Sequence, residues 1–376
     1  MIVYVRGNIM KEQEQIYACW LMNCPSLSDR QKMKLYQTCE SLEELYFSST
    51  KLWRTVLSEK GTQALSKYTE CWKPEEEYAG MVNRGIALVT AFDKNYPNKL
   101  ADIPDPPFGL FTKGKWRAKE SPTVAIIGAR DCSPYGEHIA REVAGGLAKA
   151  GITVVSGMAR GIDGIAQRAA LDVYGFSVGV LGSGVDVCYP VQNRDLYDQL
   201  TDKGMLISSF PLGYPAKPLN FPIRNRIVSG LADAVIVIEA RKKSGTLITV
   251  DMALEQGREV YVVPGRITDE LSKGCNALLC QGANVFTSTE EFIKEITGER
   301  HTLDTSSFTV MTGSATEESD VAHKLLELLN YEPKSIYEIM NEWDKKISLS
   351  QLSSNLMMLC ATGKIRQISP GQFCLL

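Results

Sequence analysis

A short apolar run that ends at a glycine constrains the fold of this chain more than any other part of its sequence. Residues Thr123–Ile127 carry no charge and are mostly β-branched, which predicts a strand buried on both faces. Gly128 allows the backbone to turn sharply, and Ser133 with Pro134 is typical of the first turn of a helix. Because a helix start leaves unpaired N–H groups, this strand, turn and helix predict a phosphate site with Arg130 at its mouth.

Apolar runs continue to alternate with helical patterns up to residue 298. We expect further strands over residues 152–155, 176–181, 205–208, 234–238, 259–263 and 284–286. Such alternation predicts an α/β fold in which helices cover a largely parallel sheet. Ligands of such sheets bind outside the carboxyl ends of the strands, so the loops after these runs are the expected location of a site.

Composition limits the kind of protein and the kind of ligand. At 376 residues, 44% of them hydrophobic, the chain is long enough for two or three globular domains. It has neither an apolar run of roughly 18 residues nor a secretory pattern, so we expect a cytoplasmic protein. The ten cysteines show no metal-binding spacing. Because the formal net charge is −3, any contact with nucleic acid must come from a local basic patch.

Two segments supply such a patch. The first, residues 217–231, contains Lys217, Arg224 and Arg226 and no acidic residue, and the second, residues 241–243, reads Arg-Lys-Lys. Arginines at a helix start suit phosphate groups. These segments are therefore candidates for contact with nucleic acid.

Phe221 and Pro222 open a predicted helix in the first of these segments. The apolar face of that helix is expected to consist of Ile223, Ile227, Val228 and Leu231. Arg224 and Arg226 lie off that face, and Phe221 is then a platform on which a base of a single strand can stack. Alternatively, Phe221 packs against the helix start and the arginines pair with acidic residues. The residues alone leave both interpretations open.

Two common enzyme classes fit the glycine-rich loops poorly. The stretch 182–184 (Gly-Ser-Gly) has Val187 where a dinucleotide-binding fingerprint needs its third glycine, and the strands after the glycine turns lack the terminal carboxylate that binds the NAD ribose. A catalytic triad or an HExxH pattern is also missing, since His138 is the only histidine of this region. For Asp163 and Asp186, which follow glycine-rich turns, we expect structural roles.

Seven short motifs occur in one order between about residue 84 and residue 298. They are GAR (128–130), SGMARGID (156–163), GSGVDVCYP (182–190), FPIRNRI (221–227), EA (239–240), SGTLIT (244–249) and VPG (263–265). Together they resemble the DNA-processing protein A family, also called DprA or Smf. The resemblance implies an extended Rossmann-like fold with a parallel or mixed sheet, a homodimer, and binding of single-stranded DNA without strong sequence preference. It also implies protection of incoming DNA and loading of the RecA recombinase in natural transformation and homologous recombination, without catalysis, cofactor or metal.

The family's DNA-binding pocket can be carried over to this sequence motif by motif. It implies contacts from backbone N–H groups, hydroxyls, cationic side chains and one aromatic ring. The residues concerned are Gly128, Arg130, Gly161, Lys217, Phe221, Arg224, Asn225, Arg226, Ser244, Gly245 and Thr246.

An enzymatic alternative comes from the same fold family, which includes nucleotide-cleaving phosphoribohydrolases of the LOG group. Their site carries a PGGxGTxxE stretch that ends in a catalytic glutamate. Gly245 and Thr246 match its GT, but Ile248 and Thr249 stand where the glutamate is expected. The missing acid favours DNA binding over glycosidic cleavage.

The two ends of the chain are expected to form separate domains. Residues 1–80 predict short helices and resemble a sterile-alpha-motif (SAM) module, followed by the Rossmann-like domain over residues 81–300 and a linker over 301–314. Residues 315–376 predict three helices (321–329, 335–340 and 349–360) and a hairpin (363–373), which resembles a winged helix. The third helix has no lysine or arginine, so we expect this domain to contact protein rather than duplex DNA.

Overall fold

The structure, a computed structural model, describes residues 12–115, 121–298, 324–329, 333–343, 347–369 and 371–375. Its described residues fall into two compact units. The first contains the described residues up to 298, apart from Ser133–His138. The second contains Ser133–His138 and the described residues from 324 onward. The predicted linker over residues 301–314 lies outside the described residues.

A nine-stranded sheet forms the centre of the first unit, within the described residues. Its strands are β1 (Ile86–Thr90), β2 (Gly109–Gly114), β3 (Thr123–Ile127), β4 (Thr153–Ser156), β5 (Ser177–Val180), β6 (Met205–Ser208), β7 (Ala234–Val237), β8 (Glu259–Val262) and β9 (Asn284–Val285). They lie in the order β1-β2-β6-β5-β4-β3-β7-β8-β9. The pairs β1/β2 and β2/β6 are antiparallel and the others are parallel. All seven predicted strands are present, and the predicted α/β class is confirmed.

Helices connect these strands along the chain and precede them. They are α1 (Glu12–Asn23), α2 (Asp29–Tyr36), α3 (Leu42–Phe47), α4 (Thr50–Trp53), α5 (Glu59–Cys71), α6 (Pro74–Asn83), α7 (Asn98–Ala101), α8 (Pro134–Lys149), α9 (Ile162–Asp172), α10 (Arg194–Lys203), α11 (Asn220–Leu231), α12 (Gly245–Glu255), α13 (Lys273–Cys280) and α14 (Thr289–Thr297), with a 3₁₀ turn over Val191–Asn193. Helix α8 begins at Pro134, as predicted, and the Ser133 hydroxyl accepts a hydrogen bond from the Gly136 N–H at 3.1 Å. Among the helices of the described residues, none is long and apolar enough to span a membrane.

The six N-terminal helices share a core with the sheet. Trp20 of α1 and Leu35 of α2 are fully buried in one apolar cluster with Phe108 and Phe111 from the β2 region. Helix α1 is buried over most of its second half, so it needs cover on more than one side. The described part of residues 1–80 therefore belongs to the same compact unit as the sheet, whereas we expected a separate domain. The resemblance to a SAM module stays a prediction.

Strand β3 lies at the point where the direction of the chain across the sheet reverses. From β3 the chain moves outward through β4, β5 and β6, then crosses back to β7 on the other side of β3 and continues to β8 and β9. Ala125 of β3 pairs with Val155 of β4 and with Val235 of β7. Loops after β3 and β7 must therefore diverge, which opens a crevice at the carboxyl edge of the sheet.

The second unit has its own small core. Residues 324–328 are helical, as are Ile336–Asn341 and Leu349–Ala361, and the strands Lys334–Ser335, Gln372–Leu375 and Ile365–Ser369 form an antiparallel sheet in that order. Leu325, Ile339 and Leu356 are buried between them. This layout agrees with the three helices and the hairpin expected from the sequence, and the short strand Lys334–Ser335 adds to it. Assignment to the winged-helix class stays a prediction.

Candidate nucleic-acid interface

A cavity of about 630 Å³ occupies the crevice between the loops after β3 and β7. Its walls come from the turn after β3, the loop after β4, the segment after β7 and the first turns of α11 and α12. The cavity is thus located where an open parallel sheet binds its ligands, at the topological switch point beyond the strand ends.

Glycines allow the turn after β3 to pack directly on the start of α9. A Cβ atom on Gly128 would lie 2.6 Å from the Ile162 side chain. Gly161 has φ +71°, and a Cβ there would lie 2.3 Å from the Ala129 carbonyl oxygen. Gly128 lines the cavity, while Gly161, also a predicted site residue, does not and instead holds the turn in place.

Arg130, at the end of this turn, is the exposed cation of the cavity mouth. Its guanidinium carbon lies 5.6 Å from the centre of the Phe221 ring. Among the described residues it forms no ion pair, whereas the neighbouring Asp131 lies 3.5 Å from Arg160. Arg130 therefore retains its charge and its donors for a ligand.

Arg224 closes the floor of the cavity. It is only 5% exposed and its Nη1 donates to the Val180 carbonyl at 2.5 Å and to the Gly157 carbonyl. A Cβ on Gly157 would lie 2.6 Å from the same nitrogen, so a larger residue there would displace the Arg224 guanidinium. Burial lowers the pKa of Arg224 to about 10, with the nearby Asp163 acting in the opposite direction, so it remains cationic at neutral pH.

Asp163 has the structural role expected of it. The carboxylate is buried and accepts a hydrogen bond from the Gly157 N–H at 3.2 Å. Burial raises the pKa of Asp163, although the Arg224 guanidinium acts against this. The acid thus stabilises the loop after β4 beneath the cavity.

Asn225 is oriented by Arg224. The Arg224 Nε donates to Asn225 Oδ1 at 3.1 Å, and Asn225 also lines the cavity. Because a guanidinium has donors only, the side-chain oxygen faces the arginine and the Nδ2 amide is left to donate elsewhere.

Arg226 lies outside the cavity. Its side chain is 11% exposed, and its Nη2 is 2.6 Å from Asp29 while Nη1 is 3.6 Å from Asp105. For this residue the alternative interpretation, pairing with acids, is the one observed. The predicted apolar face of α11 is also wrong in part, since Ile223 is 44% exposed and Arg224 is buried beside Ile227. A spacing of three residues places 224 and 227 on one helix face.

The start of α12 is tied to the turn after β3. The Ser244 hydroxyl accepts from the Thr246 N–H at 3.1 Å and donates to the Thr246 hydroxyl at 3.0 Å. The Thr246 hydroxyl in turn donates to the Gly128 carbonyl at 3.1 Å. A Cβ on Gly245 would meet no atom within 4 Å, so the first turn of α12 is open to a ligand.

Two cations of the cavity were missed as site residues. Arg241 and Lys243 are both exposed and line the cavity. Their basic cluster was visible in the sequence, but the position of the β7 loop opposite Arg130 was not. Lys217 was predicted as a contact but does not line the cavity; its Nζ lies 4.8 Å from the Tyr214 ring centre.

Comparison with known proteins identifies the family. The model of the family described as DNA recombination-mediator protein A matches residues 87–297, more than half of the chain. The chain belongs to this family. The family and fold expected from the seven motifs are thereby confirmed.

Members of the DNA recombination-mediator protein A family resemble this chain over little more than half of its length. Protein Smf of Escherichia coli (strain K12) is 43% identical over 217 residues, which are 57% of this chain and 58% of that protein. DNA processing protein DprA of Streptococcus pneumoniae is 41% identical over 203 residues, 54% of this chain and 72% of that protein. The match therefore spans little more than half the length of the E. coli relative.

Two solved structures of DNA processing protein A share the fold. That of the Streptococcus pneumoniae protein aligns with a TM-score of 0.67 and 31% identity, covering 74% of this chain and 97% of the other. That of the Helicobacter pylori protein, which is described as having a single-stranded DNA binding mode, aligns with a TM-score of 0.52 and 30% identity over 57% of this chain and 97% of the other.

Proposed function

We propose that this chain is a DNA-processing protein that binds single-stranded DNA, without strong sequence preference, in the crevice between the β3 and β7 loops. The observation that carries the proposal is the grouping of three exposed cations, Arg130, Arg241 and Lys243, around the open first turn of α12. Cationic side chains and free N–H groups together bind a phosphate backbone without reading sequence. The single-stranded DNA bound by the Helicobacter pylori relative supports the same ligand here.

Local charge accounts for binding despite a net charge of −3. The acids lining the cavity are Asp131, which lies near Arg160, and Asp163, which is buried against the loop after β4. Buried Arg224 adds a positive charge below the cations of the rim. The crevice is therefore a local positive site on a chain whose net charge is negative.

The proposed contact set differs from the predicted one. Cavity-lining members of the predicted set are Gly128, Arg130, Phe221, Arg224, Asn225, Ser244, Gly245 and Thr246, and we add Arg241 and Lys243. Lys217 is kept as a flanking contact. Gly161 and Arg226 are assigned to the stability of the site rather than to contact with DNA.

The wider role proposed is protection of incoming strands and loading of the RecA recombinase in natural transformation, by a cytoplasmic homodimer. Support comes from the DNA-processing names of the relatives and from the motifs in the sheet region. Light scattering of the purified chain tests the dimer. Addition of RecA to strands coated with single-strand-binding protein tests loading, because a loader should shorten the lag of the RecA ATPase.

We further propose that the site does not turn over a substrate. Ile248 and Thr249, which stand in place of the glutamate of the phosphoribohydrolases, line the cavity, and neither can transfer a proton to a leaving base. Incubation with nucleoside monophosphates tests this, since release of free base at catalytic turnover would establish the enzymatic alternative.

A titration of fluorescent oligonucleotides at several salt concentrations tests the binding function. We expect the chain to bind a single strand more tightly than a duplex of the same sequence, with affinity that falls steeply as salt rises. Equal affinity for both forms, or affinity independent of salt, would contradict the proposal.

A further inference from the structure

Stacking on a base was one of the two interpretations left open for Phe221, but its ring is already surrounded. The guanidinium carbons of Arg130 and Arg224 lie 5.6 Å and 5.8 Å from the ring centre, within the range of cation–π contact. A Cβ on Gly182 would lie 2.9 Å from the ring, so the backbone of that loop packs against it. The centre of the Tyr189 ring lies 5.6 Å from the centre of the Phe221 ring. A base therefore has little of the Phe221 ring to cover.

Tyr189 is the aromatic residue of the cavity that remains open. Its residue surface is 46% exposed and it lines the cavity with Arg130 and Phe221. Among the described residues, its one ring contact is with Phe221, at an interplanar angle of 30°. One side of the ring is thus supported by Phe221 while the ring stays accessible from elsewhere.

The loop that carries Tyr189 is held in place by hydrogen bonds on both sides of it. The Ser183 hydroxyl donates to the Val187 carbonyl at 2.9 Å, and Asp186 accepts from the Gly213 N–H at 2.8 Å. After Tyr189, the Asn193 amide donates to the Met158 carbonyl at 2.9 Å. A ring on a fixed loop loses little conformational entropy when a ligand stacks on it.

We propose that Tyr189 forms a nucleobase subsite of the crevice. Phe221, whose own ring lies near the guanidinium groups of Arg130 and Arg224, is a positioning residue that supports the Tyr189 ring. The inference rests on the proposed binding of single-stranded DNA and assigns the part of that ligand which is not phosphate. Stacking is tolerant of sequence because every base has a flat face. It also selects single strands, because the bases of a duplex are already stacked on each other.

The test compares two ligands of equal length, oligothymidine and a strand of the same length in which every nucleotide is abasic. Full-length wild-type chain should bind oligothymidine more tightly than the abasic strand. Tyr189→Leu should weaken binding to oligothymidine by about 5- to 150-fold, the factor equivalent to one stacked base, and leave binding to the abasic strand unchanged. Tyr189→Phe keeps the ring and should bind both strands like the wild type. Arg130→Ala is the matched control and should weaken binding to both strands.

Other outcomes separate the possibilities. If Tyr189→Leu weakened both strands equally, or neither, the subsite would be refuted. If Phe221→Leu lost base-dependent affinity while Tyr189→Leu kept it, the stacking ring would be Phe221 and the proposal would be wrong. Wild-type chain that bound both strands equally would overturn the subsite alone, whereas wild-type chain that bound neither would overturn the proposed function as well. Thermal melting of each variant identifies any loss of affinity that comes from unfolding.

Discussion

Three arginines near the crevice differ in how many of their N–H donors remain available to a ligand. Arg130 is exposed beside an aromatic ring, Arg224 is buried with Nη1 on two carbonyls and Nε on Asn225, and Arg226 pairs with Asp29. An arginine whose donors are mostly used inside the protein acts on a ligand chiefly through its charge. At the scale of single residues, the phosphate contact is therefore expected from Arg130.

Replacement of Arg130 by alanine should weaken binding to every single-stranded sequence by a similar factor. One lost phosphate contact lowers the slope of log affinity against log salt by about 0.7 for a single strand. Titrations at four salt concentrations measure this slope. Arg54→Ala, which removes an exposed arginine near Glu59, is the control and should leave the slope unchanged. An unaltered slope for Arg130→Ala would remove this residue from the site.

Replacement of Arg226 by alanine should destabilise the fold. It leaves Asp29, whose side chain is 13% exposed, without its partner at 2.6 Å. The expected loss is about 2 kcal/mol of unfolding free energy, between the values for exposed and for buried pairs. Urea unfolding measures it. Arg30→Ala is the matched control, since Arg30 is 77% exposed and 3.8 Å from Asp105, and its loss should be less than about 0.5 kcal/mol.

At the scale of elements, the strands of the parallel region could be predicted and the pairs between distant residues could not. Most of the seven runs from β3 to β9 are apolar and bounded by turn residues, which is a local signal. Strands β1 and β2 pair with antiparallel neighbours at the sheet edge, and the proline-rich segment between them masked their pattern. Arg226 and Asp29 are 197 residues apart, a separation over which a single sequence carries no pairing signal.

In the candidate site, too, locally determined features could be predicted from the sequence and contacts between distant segments could not. Positions fixed by the strand ends, such as Gly128, Arg130 and Ser244, were predicted correctly as neighbours because parallel strands place their carboxyl ends at one edge. Whether a side chain on α11 is buried or exposed depends on which face of the helix packs on the sheet. Periodicity over one turn favoured Ile223 for that face, whereas the carbonyls of Gly157 and Val180 hold Arg224 there.

Gly161→Ala tests the junction of the β3 turn with α9. The new Cβ would require φ +71° of an alanine and would lie 2.3 Å from a backbone oxygen. We expect a loss of about 3 kcal/mol in unfolding free energy. Gly245→Ala is the comparison, because a Cβ there meets nothing within 4 Å, and its unfolding free energy should stay close to that of the wild type. Similar stability for the two variants would show that the turn adjusts freely.

At the scale of the whole molecule, the cavity draws all its lining residues from the first unit. The second unit has a core of its own and its longest helix, Leu349–Ala361, carries no lysine or arginine. Its expected contact with protein rather than DNA stays a prediction. Among the described residues, the cations that line the cavity thus all lie on one edge of the first unit.

A chain that ends at residue 298 should retain most of its affinity for single-stranded DNA, because every residue that lines the cavity is kept. Titration of the truncated and the full chain with the same oligothymidine measures this. Circular dichroism controls for folding of the shorter chain. Loss of affinity by a folded truncated chain would mean that the second unit contributes directly to the bound strand.

The salt bridge between Arg226 and Asp29 joins α2 of the N-terminal helices to α11, the helix that carries Phe221 and Arg224. Phe221 and Arg224 lie on the same helix, five and two residues before Arg226, and Asp29 is the first residue of α2. A rigid helix transmits displacement along its length, so α2 cannot shift away without either breaking this bridge or pulling on the aromatic and cationic side chains that line the crevice. A displacement of the N-terminal helices, which are distant in sequence, would thereby change the position of the side chains with which the crevice holds its ligand.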